Sequence, residues 1–424
     1  MGQTADRRTS VSVVAYGCPE VAMDATLLEQ YFQQKSGFTL CQDHSQADLI
    51  IFLGCSVTQN SEDYSSRTIE ILKAQKRPDA QLLVAGCIAK MRPDLAGDQS
   101  NFYGLVKEIE ALRRFDGEAL RLSANVLHAR TRPMYDYKQR LARLRERLGS
   151  RNSHSGAVPS KVSLLLTVGA VPAIKRCRDL VIDKLNVFKN KVFPIKISTG
   201  CAGNCSYCSI RLTRGRIRSK PIDFVVREFE SGLEQGYRYF ALLGTDIGDY
   251  GKDRGIDLLD LLQELTSHEG DFKLRLRNVN PRWLVASADA FCELLKKNKI
   301  IYLESPAQSG SNRILQRMNR GYRIEDYVEA LRKVRKACPS IFIRSQIMVG
   351  FPGETDEDFR DTLKLVDCNV FDYAQLFEYT VRPGTKAATL SDRVPEKIIR
   401  QRYDKLLFKC FFQHPLNALM PQYL

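Results

Sequence analysis

The sequence predicts an α/β protein. An N-terminal parallel-sheet, Rossmann-like domain is expected ahead of a partial (β/α)6 TIM barrel. Three observations carry this. Strand-like and helix-like patterns alternate through both halves of the 424-residue chain, which implies βα units and parallel sheets. Three strands of the N-terminal half each end in a glycine followed by a cysteine. A C-x3-C-x2-C pattern, Cys201, Cys205 and Cys208, directly follows the apolar run 192–197. The expected divisions are 1–120, a basic connector over 121–190, and a catalytic region over 191–424.

In the N-terminal region, residues 11–17 read as a strand, with Cys18 next. Leu27, Leu28, Tyr31 and Phe32 give residues 25–34 helical spacing. Residues 48–53 form a second apolar strand, with Cys55 one glycine later; 62–76 reads as a helix; 81–85 is a third strand, followed by Gly86 and Cys87. In a parallel sheet the carboxyl ends of the strands lie at one edge, where ligands bind. Cys18, Cys55 and Cys87 should therefore converge, although they are far apart in sequence. Cysteine is often simply buried, so three core thiols are the bland alternative. Cys41 lacks the strand-end position and is left out.

The connector carries a dense basic run from Arg130 to Arg151, part of which, 137–148, has the pattern of an exposed helix. It reads equally as an RNA-phosphate surface or as a solvated linker. Residues 164–173 are apolar, and Cys177 has no motif around it.

The catalytic region opens on the cysteine loop. Spacing i, i+4, i+7 is also helical, but Gly200, Gly203 and Asn204 favour a tight loop over a helix. Thiolates suit soft metals and Fe–S clusters. Structural zinc wants four ligands, and no fourth Cys or His lies nearby. Three thiolates on a cubane leave one iron open to a cofactor. Strands are then expected at 192–198, 239–244, 273–279, 299–304, 342–349 and 373–379, with amphipathic helices between them, such as 222–234 and 355–366. Chemistry in such a barrel sits at the carboxyl ends of the strands. There stand Gly244-Thr-Asp246-Ile-Gly248, Gln308-Ser309-Gly310-Ser-Asn312, Val349-Gly-Phe-Pro-Gly353-Glu-Thr355 and Arg382-Pro-Gly384. Gln308, Ser309 and Asn312 are placed to meet cofactor or substrate hydroxyls. Thr355 and Asp358 have capping-box spacing. Arg211, Arg214, Arg216, Arg218 and Lys220 trail the cysteine loop, either as an anion-binding strip or paired with local acids.

Composition narrows the setting. The formal charge is +15 and the pI about 9.2, which makes a polyanion such as nucleic acid a plausible partner. No apolar run is long enough to span a bilayer, so no membrane role is expected. Twelve cysteines without an export signal point to a reducing, cytoplasmic setting with metal or redox use.

The cysteine loop resembles the signature of the radical S-adenosylmethionine enzymes. In that family the open iron is chelated by the amino and carboxylate groups of S-adenosylmethionine, and an electron from the cluster cleaves the sulfonium to a 5′-deoxyadenosyl radical. The resemblance implies catalytic roles for Cys201, Cys205 and Cys208, and places Gly244 beside the cofactor's amino group. Tyr16-Gly-Cys18, Gly54-Cys55-Ser-Val-Thr-Gln-Asn60 and Ala85-Gly-Cys87 narrow it to the radical S-adenosylmethionine methylthiotransferases. In these the three N-terminal cysteines hold an auxiliary 4Fe-4S cluster that carries or supplies sulfur. Two departures stand out. Pro19-Glu20-Val21 replaces the family's usual Gln-Met-Asn, and Gly54 replaces an Asn. The segment 244–251 resembles the branch that modifies N6-threonylcarbamoyladenosine in tRNA. A further small RNA-binding β-barrel, carried by most tRNA-acting members of the family, is not expected after the helix over 401–412.

The resemblance therefore implies two 4Fe-4S clusters, S-adenosylmethionine, a tRNA substrate, a low-potential electron donor such as flavodoxin or ferredoxin, and a sulfur donor. The expected reaction is methylthio insertion into an unactivated C–H bond, first on a tRNA adenosine beside the anticodon. The alternatives are the same chemistry on a ribosomal protein, peptide or small metabolite, or a non-catalytic Fe–S or zinc protein that binds RNA.

Overall fold

The computed structural model describes residues 8–96 and 192–413. The basic run, the 164–173 segment and Cys177 lie outside the described residues. The N-terminal unit is a four-stranded parallel sheet of β1 (Thr9–Tyr16), β2 (Phe38–Leu40), β3 (Leu49–Gly54) and β4 (Gln81–Gly86), in the order β2-β1-β3-β4. All six residues of β3 are buried. Its alternate side chains explain why: Leu49, Ile51 and Leu53 pack with Val21, Leu28 and Phe32 of the Pro19–Gln34 helix. Ile50 and Phe52 pack on the other face with Ile69 and Leu72 of the Gln59–Gln75 helix. A period-2 strand that is apolar on both faces must be covered on both, which gives three layers. The sequence reading had the three long strands and both helices; β2, three partly exposed residues, escaped it.

The second unit is a six-stranded, all-parallel sheet. Its strands are β5 (Val192–Lys196), β8 (Tyr239–Leu243), β9 (Lys273–Leu276), β10 (Ile300–Glu304), β11 (Phe342–Val349) and β12 (Tyr373–Glu378), paired in the order β12-β11-β10-β9-β8-β5. Between β5 and β8 runs a small antiparallel pair, β6 (Ser198–Thr199) with β7 (Arg218–Ser219), that frames the cysteine loop. Helices follow the strands and bury their apolar stripes against the outer face. Phe193 and Ile195 of β5, with Ile197 just beyond it, join the same core as Leu274 and Leu276, Ile343, Ile347 and Val349. This is the expected (β/α)6 partial barrel. The 3-10 and capping details are local: Thr355 and Asp358 form the full capping box of the Asp356–Asp367 helix.

The two units meet through buried ion pairs. Lys196 Nζ donates to Asp24 Oδ1 at 2.9 Å, Arg214 Nη1 to Glu20 Oε2 at 2.6 Å, and Arg382 Nη1 to Glu62 Oε2 at 2.7 Å. Arg382 also reaches the Ser56 carbonyl at 3.4 Å. These contacts bring the carboxyl edge of the first sheet over the carboxyl ends of the barrel strands. Among the described residues, no helix is long and apolar enough to cross a membrane.

Candidate active site between two sets of three cysteines

The first set is built by register. Tyr16, Gly54 and Gly86 end their strands in one row across β1, β3 and β4. Each is followed within two residues by a cysteine, so Cys18, Cys55 and Cys87 leave the sheet side by side. The glycines are needed for that closeness. A Cβ on Gly17, whose φ is +147°, would lie 2.5 Å from the Cys55 Cβ, and one on Gly86 would lie 2.6 Å from the Gly54 carbonyl oxygen. Cys18 caps the Pro19–Gln34 helix and Cys87 opens the Cys87–Met91 helix, so both helix starts face the same point. Burial pushes the Cys18 thiol up to about 12, Arg214 acting against this and Glu20 and Cys55 adding to it. Burial and then Cys87 raise Cys55 as well. Each thiol thus feels its neighbour, and their protons would be displaced by a metal.

The second set is built by a tight loop. Gly200 at φ +75° turns the chain beneath Arg216, whose carbonyl a Cβ would strike at 2.1 Å. The Gly203 N–H then donates to Cys201 Sγ at 3.2 Å, and Cys208 N–H to the Cys205 carbonyl at 3.2 Å. Arg320 donates to Cys205 Sγ at 3.4 Å and to the Pro306 carbonyl at 2.8 Å. Ser206 ties the loop down by donating from Oγ to the Arg317 carbonyl at 2.8 Å. Burial, then Asp246, pushes Cys201 up to about 12; burial, then Cys205, does the same to Cys208.

Around this loop stand polar atoms that the protein does not satisfy. Ser198 Oγ, Gln308 Oε1 and Asp249 Oδ2 are buried with no hydrogen-bond partner. Gln308 holds φ at +72°, strained for a residue with a Cβ, and its backbone is pinned by Gln346 O at 2.7 Å and Met348 N at 2.8 Å. Gly244 leaves a space that its Cβ would close, 2.6 Å from Ser198 Oγ. Orphaned polar groups beside three convergent thiols fit a polar, cluster-bound cofactor. Burial and then Asp249 push Asp246 up to about 6, and Asn280 Nδ2 donates to its Oδ2 at 2.8 Å.

Gly244 packs against Ser198, two residues before the turn at Gly200, and Gln308 lies two residues after Pro306, whose carbonyl accepts from the same Arg320 that donates to Cys205. Ser309 and Asn312 do not turn their polar atoms to the second cysteine set. Ser309 Oγ accepts from the Ser311 N–H at 3.1 Å and meets Thr362 Oγ1 at 3.3 Å. Asn312 donates to both Glu325 oxygens at 2.9 Å and accepts from the Ile324 N–H at 2.8 Å. They brace the loop. Cys41 Sγ faces the Asp43 carbonyl at 3.0 Å, away from the row of three.

The basic strip after the loop divides. Arg214 links the two sets: it pairs with Glu20 and points its other Nη at Cys18 Sγ, 3.7 Å away. Lys220 pairs with buried Glu228. Arg216 and Arg218 remain exposed. Glu20, within the Pro19-Glu20-Val21 departure after Cys18, is the partner that seats Arg214, and Thr245 Oγ1 donates to its other oxygen at 3.4 Å. The residues that sequence reasoning missed here are Glu20, Asp249, Asn280 and Arg320. For Glu20, Asp249 and Asn280 the signal was a charged or amide side chain a few residues beyond a strand end; Arg320 follows the Asn312–Arg317 helix and carried no such signal.

Residues 195–366 match the Radical SAM superfamily, and residues 10–105 match the uncharacterized protein family UPF0004. The chain is 31% identical to the tRNA-2-methylthio-N(6)-dimethylallyladenosine synthase of Syntrophomonas wolfei, over 96% of this chain and 83% of that protein. It is 28% identical to the threonylcarbamoyladenosine tRNA methylthiotransferase MtaB of Thermotoga maritima, over 94% of this chain and 81% of that one. Among solved structures, the radical S-adenosylmethionine methyltransferase TsrM of Kitasatospora setae shares the fold, with a TM-score of 0.53, 16% identity, and cover of 90% of this chain and 77% of that one.

Proposed function

The chain belongs to the radical S-adenosylmethionine tRNA methylthiotransferases, and from that premise we propose that it inserts a methylthio group into a tRNA adenosine beside the anticodon, of the N6-threonylcarbamoyl type. A 4Fe-4S cluster and S-adenosylmethionine come with the superfamily. The proposed ligands of that cluster are Cys201, Cys205 and Cys208, and a second 4Fe-4S cluster is assigned to Cys18, Cys55 and Cys87. The observation that supports this most is Arg214, which follows the Cys208 loop and touches Cys18 Sγ. Two three-thiol sets on separate sheets are thereby held at one seam. When bound, the first cluster and S-adenosylmethionine supply the radical that opens the C–H bond, and the second cluster supplies the sulfur.

The chain's own residues do the placing. Gly244 leaves room for the cofactor's amino end, and buried Asp249 Oδ2 and Gln308 Oε1 offer it acceptors. Arg320 holds Cys205 and so fixes the loop. The ion pairs of Asp24, Glu20 and Glu62 clamp the N-terminal unit over the barrel and exclude water from the seam. An unstacked loop adenosine can enter such a seam edge-on. A low-potential electron donor such as flavodoxin or ferredoxin, and a sulfur donor, complete the expected partners.

Nucleoside analysis of tRNA from a deletion strain tests the substrate. Loss of one methylthio-nucleoside with gain of its unthiolated parent is expected. An unchanged profile removes tRNA as the acceptor and leaves the protein or metabolite alternatives.

A further inference from the structure

Arg214 belongs to the second unit but touches the first cysteine set, and its placement is fixed from both sides. It ends the short Ile210–Arg214 helix. The next residue, Gly215 at φ +78°, accepts from the Cys201 N–H at 3.3 Å and donates to the Arg211 carbonyl at 3.1 Å. The backbone at Arg214 is thus tied to the second cysteine loop. Its side chain runs the other way, across the seam. Nη2 donates to Cys18 Sγ at 3.7 Å, and Nη1 to Glu20 Oε2 at 2.6 Å.

Glu20 completes the arrangement. It stands in the first turn of the Pro19–Gln34 helix, whose N-cap is Cys18. The helix dipole favours a carboxylate there. Its Oε1 accepts from Thr245 Oγ1 at 3.4 Å, one residue past Gly244. Cys18, Arg214, Glu20 and Thr245 therefore form a chain of contacts from the first set to the loop after β8. The side chains of Arg214 and Glu20 are 11% and 10% exposed, so salt and solvent screen the pair little. The neighbouring acids have partners of their own. Asp24, one turn further along the same helix, accepts from Lys196 Nζ at 2.9 Å, and Glu62 accepts from Arg382 at 2.7 Å.

A cation that donates to a thiolate sulfur favours the more negative state of whatever that sulfur binds. For an Fe–S cluster that is the reduced state, and net charge and hydrogen bonds at the sulfurs are levers on its potential. Glu20 does two opposed things: it holds the guanidinium in place, and it offsets part of its charge. We propose that Arg214, positioned by Glu20, sets the reduction potential of the cluster assigned to Cys18, Cys55 and Cys87, so that a residue of the radical-forming unit tunes the sulfur-supplying one. The inference rests on that cluster assignment and gives a role to two residues outside the ligand set.

The test uses full-length protein carrying Cys208→Ala, in which the first cluster is the one expected to remain, after anaerobic reconstitution. Iron and sulfide are counted first. The cluster is then titrated against redox mediators, with its reduced form read by electron paramagnetic resonance. Arg214→Gln, which removes the cation, should lower the reduced-to-oxidised ratio at a fixed potential by about tenfold, about 59 mV for a one-electron couple. Glu20→Gln, which keeps the shape and removes the opposing charge, should raise that ratio by about threefold or more. A loosened seam would admit water in both variants and move both the same way, so opposite signs belong to the electrostatic role. Equal potentials in all three proteins, or shifts of one sign in both variants, overturn it. Should Arg214→Gln fail to hold the cluster, Glu20→Gln alone decides, an unchanged or lowered ratio overturning the role. Loss of the cluster from both variants shows a purely structural pair and overturns it too. If the Cys208→Ala parent holds no cluster, the assignment to Cys18, Cys55 and Cys87 itself falls, and the inference with it.

Discussion

Gly17→Ala is the sharpest probe of how the first cysteine set is built. The new Cβ would sit 2.5 Å from the Cys55 Cβ, at a backbone φ of +147°. Ordinary carbon contacts lie at about 3.5–4.0 Å, so the ends of β1 and β3 must part by about 1 Å. Overpacking of this size costs about 1–3 kcal/mol, and a non-glycine residue at such a φ about 1–3 kcal/mol more. Together this is a large part of a total stability of about 5–15 kcal/mol. The consequence for the cluster is larger than for the fold, because metal–ligand distances tolerate only about 0.2 Å. After anaerobic reconstitution the variant should hold about four irons per chain where wild type holds about eight, one cubane in place of two. It should still release 5′-deoxyadenosine and should yield no methylthio product. Gly236→Ala is the control: its φ is +83°, but nothing lies within 4 Å of the added Cβ, so only backbone strain of about 1–2 kcal/mol is expected, with full iron. Full iron and wild-type product from Gly17→Ala would refute the claim that this row of glycines sets the spacing.

Two further outcomes follow from the barrel. Arg402→Ala removes the guanidinium that donates to Glu354 Oε2 at 2.8 Å and to the Glu354 carbonyl at 3.0 Å, both buried. It should cost about 3–5 kcal/mol by urea denaturation, since a buried carboxylate loses its cation; a loss under about 1 kcal/mol would contradict the role. Burial alone would raise Asp358, but bonds from Arg313, Ser311 and Thr355 outweigh it and hold the carboxyl well below the usual carboxylate range. A lowered acid stabilises the fold above its unfolded value of about 3.9, and that stability is lost as pH falls through the folded value. Asp358→Asn should therefore lower the melting temperature at pH 7 and flatten its decline below about pH 4; a parallel downward shift at every pH would show that the ionised form contributes nothing.

Much of this was legible in the sequence because the strongest signals were local. The runs ending at Leu53, Ala85 and Ile197 are apolar and strand-length, the first two closed at once by glycine and the third by Gly200 after two residues, so the sheet edges and the cysteines beyond them could be placed. What escaped lay across the chain. Arg214 looked like one of a strip of surface cations, but its partner Glu20 is 194 residues away. Lys220 was ambiguous for a nearer reason: its partner Glu228 is eight residues on, in the next helix, and only the fold shows the two side chains meeting. Ser309 and Asn312 had the right residue types at a strand end; only the fold shows that Thr362 and Glu325 already occupy them.

The account stands or falls on cluster assignment. Iron, acid-labile sulfide and 5′-deoxyadenosine should be measured for anaerobically reconstituted wild type, Cys55→Ala and Cys208→Ala. Two clusters are expected in wild type and one in each variant, with 5′-deoxyadenosine lost only in Cys208→Ala and methylthio transfer lost in both. A single cluster in wild type, or 5′-deoxyadenosine lost equally from both variants, would contradict it.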